Sequence, residues 1–329
     1  MIFFYFFLII GLLIVCALAV LWTRLKDTNK RVEKELRTTP IQLLDNPGCI
    51  KRLRLLPLVD YYAQGNLASE AGVSYLIQAD DIRLLLDVGA NEKKVHPSPL
   101  VANMEALGVA LSTLDGIVIS HVHQDHVGGI QEEKKRVFSL SRGEVNLQSM
   151  PVWAPDELGC SAYNPGARPQ YVQEPVLIEK GIALTGPLPA SLFLLGYTIE
   201  QSLVINVENK GLVVVMGCGH PTLPVILDRA KQMFDEPIYA VIGGFHLPVK
   251  GGRMNLGPLN LQNLVGSDRM PWHHLDEKDV FETIKVLRQE APNLVAISPH
   301  DSSDWAITQF QQAFGSRCVA IKVGQAIAI

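Results

Sequence analysis

No CxxC pair occurs in the 329 residues, and the five cysteines (Cys16, Cys49, Cys160, Cys218 and Cys318) are odd in number and widely spaced. That pattern excludes a disulfide framework and a zinc ribbon, and it fits a reducing compartment. Blocks of like charge are also missing: the net charge is −4, and acids and bases are interspersed along the polar part of the chain. The sequence therefore lacks the electrostatic footprint of a nucleic-acid binder, and no nucleic-acid partner is expected. Internal repeats and low-complexity tracts do not occur. What is plentiful is apolar surface: 48% of the residues are hydrophobic, enough to fill the core of one large domain or two small ones.

The apolar content begins at once. "IFFYFFLIIGLLIVCALAVLW", from Ile2 to Trp22, runs for 21 residues without a charge, enough to cross a hydrocarbon core of roughly 30 Å at about 1.5 Å per residue. No basic residue precedes it, so it lacks the n-region of a signal peptide, although Ala17-Leu18-Ala19 has the small-x-small form of a cleavage site. A lipid anchor at Cys16 is disfavoured by the bulk of Val15 before it. Arg24, Lys26, Lys30, Arg31, Lys34 and Arg37, against Asp27, Glu33 and Glu35, follow the run. This basic excess predicts a single span with the remainder in the cytoplasm; cleavage of residues 1–19 would instead place it in a secreted or periplasmic location. The expected divisions are a transmembrane anchor at 1–23, a juxtamembrane linker at 24–50 and a catalytic domain at 51–329. A polar, helix-compatible stalk over 24–39 is expected to break at Pro40 and Pro47.

Beyond residue 50, short Val-, Ile- and Leu-rich runs alternate with helical patterns. "VSYLIQA" and "IRLLLDVG" predict a strand pair, and "SPLVANMEALGV" a helix capped by Ser98 with Pro99 in its first turn. "GIVIS" predicts a buried strand, and "QSLVINVENKGLVVVMG" a hairpin. Helices are expected at about 224–234, 277–290 and 303–314, strands at "IYAVIG" and "LVAIS", and a final strand pair ending at Ile329. The Pro- and Gly-rich stretches 141–200 and 247–275 are expected to be irregular site loops. Sheets covered by helices on their outer faces follow, an α/β class.

The densest chemistry lies in "SHVHQDHVGG", Ser120 to Gly129. Side chains two apart on an extended segment point the same way, so His121 and His123 can offer their imidazoles to one ion as the strand ends. Asp125 and His126 fall in the next turn and can face a second ion across the same crevice. Nitrogen and carboxylate donors of this kind suit zinc, iron or manganese.

The segment matches the HxHxDH signature and resembles the metallo-β-lactamase superfamily. "SYLIQADDIRLLLDVGA", "GLVVVMGCGHPTL", "YAVIGGFHLP" and "AISPHDSS" follow in the order seen in a subfamily of such hydrolases, some of whose members are named for a dihydropterin ribofuranosylaminobenzene phosphate synthase activity. The resemblance spans roughly residues 52–329. It implies an αββα four-layer sandwich with a one- or two-metal site, and two divalent ions, zinc first with manganese or iron as alternatives.

Carried over by motif, His121 and His123 would bind the first ion, Asp125 and His126 the second, and His300 would complete the second site. The "GHT" turn of many relatives is missing, for this area reads "LTGPLPASL", so His220 is the replacement for the remaining first-site ligand. Cys218 stands where many relatives carry a bridging aspartate, as a thiolate ligand or a small buried hydrophobe. His246 is expected to touch substrate or to sit behind the ligands. His96, His273 and His274 lack a motif and are expected to be ordinary loop histidines. Tyr163, Arg168 and Arg253 in the irregular stretches are candidates to grip an anion.

The chemistry expected is hydrolysis of an ester, lactone or phosphoester bond in a small molecule, with Asp125 accepting a proton from water. The alternatives are a phosphate-handling step on a pterin-like substrate and a tethered, non-catalytic binding protein.

Overall fold

The computed structural model describes residues 2–38, 43–257 and 259–329. Two sheets of seven strands each lie face to face. In the first, Leu53–Val59, Ser74–Ala79 and Ile82–Leu86 form an antiparallel meander, extended by Ile327–Ala328 beyond Leu53–Val59. On its other side the sheet turns parallel, through Gly116–Val118, Pro151–Ala154 and Arg168–Tyr171. In the second, Leu203–Val207 and Gly211–Val215 form the expected hairpin, and Ile238–Gly243, Leu294–Ile297 and Cys318–Ala320 run parallel to its second strand.

The inner faces of both sheets meet in one apolar layer that includes Leu55, Ile77, Leu84, Ile205, Val213 and Ala240. The central strands read as continuous apolar runs because they are covered on both faces. Outside the second sheet pack the helices Leu223–Phe234, Glu277–Glu290 and Asp304–Phe314. Outside the first packs Pro99–Ala106. The layering is αββα, as expected.

Helix starts follow local chemistry. The Ser98 hydroxyl accepts from the Val101 N–H ahead of Pro99, and Asp276 with Asp279 makes a capping box on Glu277–Glu290. Ser303 caps Asp304–Phe314 by accepting from the Ala306 N–H.

Two expectations are corrected. The two last strands do not pair with each other: Cys318–Ala320 extends the second sheet and Ile327–Ala328 the first, so the C-terminus stitches both layers. The stretch 141–200 is not a loop, since it carries the outer strands of both sheets and a separate hairpin, Leu188–Leu192 with Gly196–Glu200. Its prolines and glycines sit at strand edges and turns, where a missing ladder bond does no harm.

The stalk after the apolar run is helical. Residues 24–38 continue one helix, Ile2–Thr38, and Pro40 lies outside the described residues. Past the apolar run, Leu21, Leu25, Asn29, Val32 and Leu36 form a stripe of buried or half-buried positions at helical spacing. Leu25 packs against Phe193 and Met270, Asn29 donates to the Asp268 carbonyl, and Arg31 lies 3.7 Å from the Tyr197 ring centre. Residues 43–50 are also tied in, through Leu44 to Met233 and Ile50 to Asn206.

Docking of this helix rests on its one fully buried leucine. Leu25→Glu should release the stalk and speed tryptic cleavage at Lys26, Lys30 and Arg31 by about tenfold. The melting temperature of the sandwich should stay within a few degrees. Unchanged cleavage kinetics would show that Leu25 does not hold the helix down.

Candidate metal centre

Parallel strands in both sheets end at one edge of the sandwich, and the polar residues gather in the turns that follow. Asp87 follows Ile82–Leu86, His121 to His126 follow Gly116–Val118, and Cys218 and His220 follow Gly211–Val215. His246 follows Ile238–Gly243, and His300 follows Leu294–Ile297. Close approach of these turns requires glycine: a Cβ on Gly217 would stand 2.2 Å from Ser120 Oγ, and one on Gly244 would stand 2.4 Å from Asp301 Oδ2.

Three groups of donors result, each with its ligand atoms within 4.8 Å of one another: His121, His123 and His220; Asp125, His126, Cys218 and His300; and Cys218, His220 and His246. The histidines and aspartate of the sequence motif thus fall into two neighbouring groups. His220 completes the first row and His300 the second, while Cys218 lies between them.

The ring nitrogens are aimed from behind. His126 Nδ1–H donates to Asp87 Oδ2 at 2.7 Å. The Ser120 hydroxyl donates to the same carboxylate at 2.7 Å and takes the Nδ1–H of His121 at 3.0 Å. A matching relay lies across the site: His300 Nδ1–H donates to Ser298 Oγ at 2.6 Å, and that hydroxyl donates to Asp60 Oδ2, also at 2.6 Å. Tyr75 OH donates to Asp60 as well. His123 spends Nε2–H on Thr198 Oγ1 at 3.3 Å, leaving Nδ1 to face His220 Nε2 at 3.2 Å. The Glu200 carboxylate takes the N–H groups of Gly219 and His220 and so fixes the turn that carries Cys218 and His220.

These bonds leave lone pairs pointing at one another. His121 Nε2, His220 Nδ1 and both nitrogens of His246 are buried and make no hydrogen bond. Buried polar atoms are rarely left so, and cations between these rings would satisfy the inward-facing lone pairs of His121, His123 and His220. The donor set therefore fits divalent metal ions.

Burial pushes the imidazoles down, His123 to about 4, His300 to about 3 and His246 to about 4, with His121 and His220 well below the ordinary value. They are neutral at pH 7, the form that ligates. Burial acts against charge on His126 too, yet Cys218, Asp125 and Asp87 around it hold its pKa well above the ordinary value. Asp125, despite burial, is kept well below the carboxylate range by His126. Burial raises Asp60 and Glu200 to about 7 and drives the Cys218 thiol up; ligation by Cys218, and by His126 with its raised pKa, therefore needs a cation to displace a proton.

Some sequence candidates are brought to the site and others are not. His121, His123, Asp125, His126, Cys218, His220, His246 and His300 all converge. Arg253 does not grip a ligand: its guanidinium donates to the carbonyls of Pro299 and Ser302 and to Asp304, bracing the turn behind His300. Arg168 lies on the outer edge strand of the first sheet. His96 bonds Ser141, and His273 and His274 are exposed. Asp87, Asp60 and Glu200 were not singled out from the sequence, though each carries one signal, an acid placed directly at the end of an apolar strand.

The family description "Metallo-beta-lactamase superfamily" matches residues 69–230. The solved structure of Tm1679, a metal-dependent hydrolase of the beta-lactamase superfamily, superposes with a TM-score of 0.56 at 21% identity, covering 84% of this chain and 99% of the other.

Over residues 69–230 the chain is similar to the metallo-beta-lactamase superfamily.

The metallo-beta-lactamase fold protein YhfI from Bacillus subtilis is similar over 85% of this chain and all of its own, with a TM-score of 0.51 at 14% identity. Among curated proteins, the 7,8-dihydropterin-6-methyl-4-(beta-D-ribofuranosyl)-aminobenzene-5'-phosphate synthase of Methanocaldococcus jannaschii is 26% identical over 244 residues, 62% of this chain and 81% of its own. Family and fold are those of a metal-dependent hydrolase.

Two outcomes follow from this geometry. Asp87→Asn keeps the shape but removes the charge that fixes His126 and Ser120, so metal affinity should fall about 10- to 100-fold by competition with a chelating dye. An unchanged affinity would show the relay to be idle.

The second concerns pH. In chelator-treated protein, five histidines with depressed pKa values bind protons only on unfolding, so stability is lost as pH falls below about 6.5. They outnumber the buried carboxylates Asp60, Glu70, Glu200 and Asp301, whose raised values act in the opposite sense and remove stability as pH rises toward about 7, and His126, with its raised pKa, removes more above about 6.5. The melting temperature of the metal-free protein should peak near about pH 6.5, and a monotonic rise through pH 8 would contradict the assignment.

Proposed function

We propose that the protein is a membrane-anchored hydrolase that binds two divalent cations, zinc first with manganese or iron as alternatives, and adds water to an ester, lactone or phosphoester bond of a small molecule. The observation that carries this reading is the convergence of His, Asp and Cys ligand atoms into groups within 4.8 Å of one another, with His121 Nε2 buried and left without a hydrogen bond. His121, His123 and His220 hold one cation; Asp125, His126 and His300 hold the other; Cys218 reaches both rows. When bound, the cations supply Lewis acidity toward the scissile carbonyl or phosphoryl oxygen and bring the pKa of a water near neutral.

The chain's own groups do the rest. Asp125, held ionised beside His126 and therefore a weak base, orients the water and passes on the proton it gives up. Asp87 through Ser120, and Asp60 through Ser298, keep the ligating rings from turning. Neutral His246, its ring centre 4.8 Å from that of His220 and its nitrogens unpartnered, offers an N–H to a substrate oxygen. Its backbone has φ 47°, an unusual conformation for histidine, held by the Asp301 carboxylate taking its N–H.

Ile2–Thr38 is long and apolar enough at its start to cross a membrane. We read it as a retained single span with the domain on the cytoplasmic side, following the basic residues after Trp22; cleavage after Ala19 would place the domain outside. The Methanocaldococcus jannaschii relative favours a second reading, phosphate handling on a pterin-like substrate.

Metal content of the full chain, purified in detergent without chelator, should be about two per chain and fall toward one in His220→Ala. Cobalt-loaded protein should show a sulfur-to-metal charge-transfer band that Cys218→Ser removes. A panel of phosphodiester, lactone, thioester and aminobenzene riboside phosphate substrates should identify the bond cut. Metal below about half an equivalent after reconstitution, with no turnover, would leave a tethered binding protein.

A further inference from the structure

A cleft of about 590 Å³ opens between the N-terminal helix and the sandwich, and its inner end is lined by His220 and His246 of the metal centre. Val32 and Leu36 of the helix form one wall, and Leu192 and Leu223 stand on the domain side. A second depression of about 530 Å³ continues along the same helix from Trp22 and Leu25, and shares Asn29, Glu33, Asp268 and Arg269 with the first. Together they make a groove from the end of the apolar run to the metal centre. From Trp22 to Leu36 the helix rises about 21 Å at about 1.5 Å per residue.

Two of the charges along the groove are paired on the protein itself, while Glu282, Lys26 and Lys30 also line it. Glu33 bonds Arg37, and Asp279 bonds Arg269. Val32, Leu36, Val225 and Val286, half-buried along the cleft, are the apolar surface left to cover, and an apolar occupant covers it favourably.

The lower end of the groove stands where the apolar run ends. Phe193, at the tip of the Leu188–Leu192 and Gly196–Glu200 hairpin, packs on Leu25, three residues past Trp22, as does Met270. Leu194, Leu195 and Trp272 around them are exposed. Apolar and aromatic side chains beside Arg24, Lys26 and Lys30 suit the headgroup level of a bilayer.

We infer that this cleft holds the hydrocarbon chain of an amphiphilic substrate taken from the bilayer, with the hydrolysable polar head at His220 and His246. The inference deepens the hydrolase reading for the head and rests on the groove alone for the tail. The helix is then both a tether and one wall of the substrate site. Each methylene that enters the cleft should strengthen binding by up to about fourfold until the cleft is full.

The test uses the full chain in nanodiscs and an alkyl phosphate of about twelve carbons with a diazirine at its tail, reading the labelled residues by mass spectrometry. Labelling should fall on 29–36 and 188–192, and be displaced by unlabelled alkyl phosphate of about twelve carbons but not about four. Val32→Trp and Leu36→Trp, which fill the groove from an already half-exposed helix face, should each reduce that labelling at least about fivefold. Leu36→Ala, which widens the groove without threatening the fold, should retain it.

Labelling confined to residues 2–22, or unchanged in both tryptophan variants, would overturn the cleft assignment. The hydrolase reading is separated by turnover. Labelling in the cleft without hydrolysis of any panel substrate refutes the enzyme and keeps the tail site. Hydrolysis that ignores chain length, with no cleft labelling, does the reverse.

Discussion

Five imidazoles held neutral and buried, with lone pairs converging from four strand ends, are a local electrostatic problem that the rest of the molecule is arranged to meet. Without a cation, His123 Nδ1 and His220 Nε2 face each other at 3.2 Å, and His121 Nε2 has no partner. Such a cluster persists only if its rings cannot turn away. The Asp87–Ser120 and Asp60–Ser298 relays remove that freedom by fixing the outward nitrogens of His121, His126 and His300. The site is therefore preorganised by anions one shell further in. Those anions are themselves desolvated, and burial raises Asp60 into the neutral range.

The fold supplies the place for this arrangement. Parallel strands in each sheet deliver their C-terminal ends to one edge, and the two sheets are fastened there by Gln201, whose N–H donates to Ser120 and whose side chain donates to Ile119. Gly217 and Gly244 let the turns approach without a side chain between them. Gly266 does the same for the loop over His246, since a Cβ there would stand 1.9 Å from the ring. Apolar strands create the edge, and small residues allow it to be crowded with polar ones.

Much of this was legible in the sequence. The HVHQDH run stated its own geometry, because spacing by two on an extended segment and by three in the following turn leaves little choice of direction. The hairpin at 203–215 and the capped helices carried local signals strong enough to set their boundaries. Two other kinds of fact were hidden. One is long-range pairing: nothing local says that Cys318–Ala320 and Ile327–Ala328 join different sheets, or that 141–200 contains edge strands. The other is the partner of a charge. Asp87 and Asp60 end apolar strands in plain view, but their histidines lie 39 and 240 residues away, a distance only the folded chain closes. The partners of Arg253 are hidden for the same reason, as its carbonyl acceptors come from the turn at 299–302.

The helix that carries the apolar run also carries the Leu21 to Leu36 stripe, and this makes tether and catalytic domain inseparable in a mechanical sense. A soluble fragment that begins near residue 38 is not the same domain set free; it has lost a wall, and its inner cleft opens to water. One that begins near residue 20 keeps the wall. Because the stripe fixes the rotation and height of the helix against the hairpin, the domain has no free swing about its tether. On the proposed single-span reading, the metal centre would stand at one distance from the bilayer surface and face it in one direction, with reach and orientation set by a single rigid lever and not by a flexible leash.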